Sequence, residues 1–167
     1  MSKFGAPKNL WELCEQAVDA ILMRPLNYYQ DDFATDADTV MVNDDYEVKE
    51  GVCGTAYCRA GWMECILGIP DYNIAGDIAR QLLEDAGIDD DDIDALFTST
   101  GGGKYTNAKG FNEKPGTKAY ARAGADGLKR FMKKHEMRLK AAKLVHLEGS
   151  KAQYKVVLPK ALQNTEE

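Results

Sequence analysis

The chain has 167 residues, 44% hydrophobic and 29% charged, the balance of a soluble globular protein long enough to bury a real core as one domain. No run approaches the roughly 20 apolar residues of a membrane span, so no membrane-spanning helix is expected; the opening MSKFGAPKN has no apolar stretch of the signal-peptide kind, so the expected compartment is the cytoplasm. The net charge of −6 conceals a division: residues 1–100 carry 21 acids and 6 bases, and residues 101–167 carry 6 acids and 15 bases.

After a short arm, Asn9 is the expected N-cap of a helix running to about Met23. Leu10, Leu13, Cys14, Ala17, Val18, Ile21 and Leu22 recur at the three- and four-residue steps of an amphipathic helix. Pro25 ends it, and Cys14, inside the stripe, reads as a small core hydrophobe. Residues 26–50 are irregular and strongly acidic. Thr39–Val42 and Tyr46–Val48 read as short strands about an Asn43-Asp44-Asp45 turn. A calcium loop counted from Asp36 fails, because its sixth position is Met41 where the turn needs Gly.

The most informative stretch is Cys53–Gly68, CGTAYCRAGWMECILG. Gly51 and Gly54 mark a turn, and Thr55 is the expected N-cap of a helix over Ala56–Leu67. Gly68 suits its C′ position, and Pro70 prevents continuation. Cys58, Trp62, Cys65 and Ile66 share an apolar face. Gly61 costs a helix interior about 1 kcal/mol relative to Ala, so close approach of another helix is expected there, and with it burial of the whole element.

A further helix is predicted over Ile74–Ala86, ended by Gly87. Asp89–Asp92 then charge the positive start of a short helix whose apolar face is Ile93, Leu96 and Phe97. Residues 98–116 form a long Gly-rich loop. Its Gly-Gly-Gly-Lys run lacks the spacing and preceding strand of a phosphate loop; Lys104, Tyr105 and Lys109 are its candidate contacts to a ligand or nucleic acid. Thr117 caps a helix reaching at least Lys134, with Ala121, Ala125, Leu128, Phe131 and Met132 inward. Leu144–Leu147 and Tyr154–Leu158 flank Glu148-Gly149-Ser150-Lys151 as a hairpin closed off by Pro159.

The pattern C-G-T-x-x-C-x-A-G-W, with Cys53, Gly54, Thr55, Cys58, Ala60, Gly61 and Trp62 in register, resembles the signature of a group of small, uncharacterised proteins from bacteria and their phages. Ala79, Leu82, Leu83, Ala86, Gly87, Ile88, Ala95, Leu96 and Phe97 follow the group's second segment with one residue inserted. The resemblance spans residues 9–134. It implies a helical body and leaves 135–167 as a basic C-terminal extension. Where many members carry His or Trp before the first Cys, this chain has Val52, which removes the partner a Cys–His site would use.

Three chemistries have residues to support them. Cys53 and Cys58 lie near a helix start, where the dipole favours thiolate, but their CxxxxC spacing is not that of a redox pair. Cys53, Cys58, Cys65 and Cys14 could supply four thiolates to zinc, with Cys53 and Cys58 the candidate ligands, but without the CxxC-like pairing of structural zinc sites. Free amides at Gly54 and Thr55, with Cys58, form a candidate anion or small-ligand site. His135 and His146 have no evident carboxylate or serine partner, so a hydrolytic triad has no support. The basic cluster Lys129, Arg130, Lys133 and Lys134 either contacts a partner or lies on the acidic half of the chain. Nucleic acid is one such partner, opposed by the overall negative charge. The expectation is a mainly α domain, 1–167, with a small β-hairpin. The favoured function is a non-enzymatic accessory or regulatory protein binding a protein partner through a charged surface, with self-association open and no cofactor; the alternative is the small-ligand, metal or thiol site at the Cys-Gly-Thr turn.

Overall fold

A computed structural model describes residues 6–25, 35–36, 55–56, 58–69, 76–97, 105, 117–147 and 154–163. Among them lie six α-helices: α1 (Leu10–Met23), α2 (Arg59–Ile66), α3 (Asp77–Asp85), α4 (Asp90–Phe97), α5 (Lys118–Lys134) and α6 (Glu136–Ala141). Two antiparallel strand pairs accompany them, β1 (Thr35–Asp36) with β2 (Thr55–Ala56), and β3 (Lys143–His146) with β4 (Tyr154–Val157). The fold is mainly helical with a small hairpin, as the periodicities predict. The proposed hairpin over 39–48, the turn at 148–151 and most of the loop 98–116 lie outside the described residues.

α1 organises the body, packing on α2, α5 and α6. Asn9 Oδ1 accepts from Glu12 N at 2.8 Å, and Glu12 Oε1 accepts from Lys8 N at 2.9 Å, so the helix start is satisfied by side chains at both steps. Leu10, Leu13, Cys14, Ala17 and Ile21 are fully buried. Each large aliphatic of that row contributes about 1.5–3 kcal/mol through water exclusion. The Cys14 thiol, deprived of solvent, is pushed up to about 12, the behaviour of a packing residue.

The predicted start of the central helix is corrected. Thr55 and Ala56 are strand, with Ala56 opposite Thr35 and Thr55 opposite Asp36, and pairing holds that backbone extended. The helix begins at Arg59, and Cys58 is its N-cap, its Sγ accepting from Gly61 N at 3.4 Å. Two other parts of the expectation hold: Gly68 follows in the left-handed region (φ +89°), and α2 is buried nearly all round; Pro70 lies outside the described residues. α3 ends at Gly87, also left-handed at +85°. Thr117 Oγ1 caps α5 through Tyr120 N at 3.2 Å.

The hairpin is not a free tail. Leu10 N donates to Ala142 O at 3.0 Å and Leu144 N to Lys8 O at 2.9 Å, so the start of α1 forms a third rail beside β3. β4 packs on α3 from the other side. Arg138 extends this docking, donating from Nη1 to Ala86 O at 3.2 Å and to Leu162 O at 3.3 Å.

Candidate functional site: the groove between α1 and α5

Among the described residues, three charged side chains are completely buried, and each joins separate elements. Arg59 donates to Gly124 O (3.0 Å), Leu96 O (2.8 Å) and Tyr105 O (2.6 Å), tying α2 to α5, to the end of α4 and to the Gly-rich segment. The fit requires Gly127, since a Cβ there would overlap the Tyr105 carbonyl and the Arg59 guanidinium. Glu64 accepts from Gly76 N (3.2 Å) and Ala79 N (2.8 Å), acting as the missing cap of α3. Its negative charge faces the positive helix end. Asp92 Oδ2 receives Tyr105 Oη at 2.9 Å, Lys134 Nζ at 2.9 Å and His135 Nε2 at 2.5 Å. Burial and the Asp92 charge both push the Tyr105 phenol well above its ordinary range.

These contacts correct three expectations. The Asp89–Asp92 run is not wholly a solvated helix start, because Asp92 turns inward. His135 does have a carboxylate partner, 43 positions away in sequence. Tyr105, expected at a ligand, is held in the core by its hydroxyl and its carbonyl; Lys104 and Lys109 lie outside the described residues. At the Cys-Gly-Thr turn, Cys53 and Gly54 lie outside the described residues, and Thr55 is in β2. Cys58 is buried, and desolvation pushes its thiol up to about 11, against the lowering by its own helix amides. It is therefore protonated at neutral pH. Cys14, Cys58 and Cys65 form no disulfide with one another. Among the described residues, no three potential ligands converge as a metal site.

The basic quartet divides by helical geometry. Arg130 and Lys134 share one row of α5 and turn toward α4, where Lys134 meets Asp92 and Arg130 lowers the Tyr105 phenol against the other influences. Lys129 and Lys133, on the adjacent row, line an open groove of about 780 Å³ between α5 and α1. Its α1 wall is acidic, with Glu12, Glu15 and Asp19; its apolar lining is Trp11, Val18 and Met132. Lys140 Nζ sits 4.6 Å from the centre of the Trp11 ring and pairs with Glu136 at 2.5 Å, fixing one end.

Compared with known family models, curated proteins and solved structures, the chain has no significant match.

What distinguishes the groove is the state of its charges. Among the described residues, the side chains of Glu15, Asp19, Lys129 and Lys133 have no hydrogen-bond or ion-pair partner. The two walls carry opposite charge, and no ion pair among the described residues joins them. Among the described helices, none is long and apolar enough to cross a membrane.

Proposed function

We propose that this chain is a non-enzymatic accessory or regulatory protein that binds a protein partner through the groove between α1 and α5. The observation that carries this reading is the uncommitted charge on both groove walls beside half-buried Trp11 and buried Met132. An aromatic and a Met on the floor of a concavity match the enrichment of recognition surfaces, and charges at its rim select between partners. Of the basic residues expected to meet a partner, Lys129 and Lys133 are assigned to that role, while Lys134 is committed to Asp92. The cellular setting, a bacterial or phage cytoplasm with inhibition of a host system as one form of regulation, rests on the resemblance of the Cys-Gly-Thr stretch alone.

The test is affinity capture from host lysate with the wild-type chain, the double variant Lys129→Glu/Lys133→Glu and a control, Lys155→Glu, on the hairpin. The reading expects a protein recovered by the wild type and the control and lost by the double variant. Recovery that is indifferent to Lys129 and Lys133 would place the binding surface elsewhere.

A further inference from the structure

The groove has a length, a floor and two differently charged walls, and together they restrict what fits. From Trp11 to Asp19 α1 advances eight residues, about 12 Å or a little over two turns. A helix with side chains is about 10 Å across, so two turns of one helix match the groove in length and bulk. The floor is apolar at Trp11, Val18 and Met132, and α1 continues toward its end with exposed Leu22 (39%) and Met23 (69%), apolar surface on the same helix. The α1 wall needs cations opposite Glu15 and Asp19. The α5 wall needs anions opposite Lys129 and Lys133. Leaving either set against like charge or dry apolar surface is unfavourable. We infer that the groove takes an amphipathic helix of about two turns from a protein partner, its apolar edge on Trp11, Val18 and Met132, its basic flank toward α1 and its acidic flank toward α5. The inference rests on the partner-binding reading and gives that partner its chemistry.

The test uses fluorescent lactam-bridged helices of roughly 14 residues, bridged because free peptides of that length are marginal helices. All share a leucine edge; one has a lysine flank and a glutamate flank, one has two lysine flanks, and one has two glutamate flanks. Fluorescence anisotropy against the full chain at physiological salt should favour the mixed-flank helix by at least about tenfold, one decade in dissociation constant. In Lys129→Glu/Lys133→Glu the preference should move to the two-lysine helix, and in Glu15→Lys/Asp19→Lys to the two-glutamate helix. If a single-sign helix binds the wild type best and the groove variants weaken it, the groove reading stands and the stated chemistry is wrong. If no helix binds, or binding ignores both double variants, the groove reading falls with it. Displacement of the mixed-flank helix by rising concentration of the chain itself would replace the foreign partner with a second copy.

Discussion

Two regions of this molecule treat charge in opposite ways. Between α2, α3, α4 and α5, Arg59, Glu64 and Asp92 are sealed from water, and each holds at least two hydrogen bonds to other elements of the chain. In the groove between α1 and α5, Glu15, Asp19, Lys129 and Lys133 are exposed and hold none among the described residues. α5 serves both: its Arg130/Lys134 row faces the acidic helix α4, and its Lys129/Lys133 row, one residue back, faces the groove. Charge committed inside costs desolvation and must be repaid by geometry. Charge left outside is nearly neutral for folding and is free to select a partner. The sequence asymmetry between an acidic first half and a basic second half is thus divided between two uses on one helix.

The largest effect should come from breaking the buried side. Arg59→Met removes the donors for three buried carbonyls, and a loss of about 3–5 kcal/mol is expected in urea unfolding. A loss below about 1 kcal/mol would show that these carbonyls find water and that the comparison is overdrawn. Asp92→Asn keeps an acceptor for Tyr105 but drops the charge facing Lys134 and His135. About 2 kcal/mol is expected, read as a fall of roughly 4–8 °C in Tm for a chain of this size.

These residues also show what was legible beforehand. Caps and stops that act within a few residues, Asn9, Thr117, Gly68 and Gly87, were readable because their hydrogen bonds and dihedral demands are local. So was the hairpin at 143–157. The start of α2 was not, because the β1–β2 pairing that keeps Thr55 extended joins segments about twenty residues apart. The inward turn of Asp92 did leave a signal. It stands four residues before Leu96 and beside Ile93, on the buried row of α4, whereas Asp89, Asp90 and Asp91 are exposed. Its partner His135 left none, since pairing across 43 residues is decided by how α4 and α5 pack. Arg59 was equally hidden, because nothing local tells a buried arginine from a surface one until the carbonyls around it are assembled. The groove was half visible: the basic cluster was evident, but its separation into two rows facing different neighbours required α1 and α4 in place.

The buried thiols sharpen the same contrast through pH. Cys58 and Cys14 have their pKa raised from 9.0 to about 11 and about 12 by burial. A group that holds its proton more tightly when folded contributes stability that is fully present below the unfolded value and is lost as pH rises through the folded one. Unfolding free energy should therefore decline from about pH 9 toward pH 11–12. Cys58→Ala should lessen that alkaline slope, and an unchanged slope would mean that Cys58 is not sealed. The native protein should also resist iodoacetamide at both thiols at pH 7. The smallest stability effect is expected at the groove: Lys129→Glu/Lys133→Glu should stay within about 0.5 kcal/mol of wild type. A larger loss would mean that these lysines support the fold after all.

The most direct test of the division is competitive acetylation of the native protein by a trace of acylating reagent, with the rate at each lysine read by mass spectrometry in the absence and presence of the mixed-flank helix. The account predicts that Lys129 and Lys133 react several-fold faster than Lys134 and Lys140, which are paired with Asp92 and Glu136, and that the helix protects Lys129 and Lys133 alone. Equal rates at all four, or protection confined to other lysines, would contradict it.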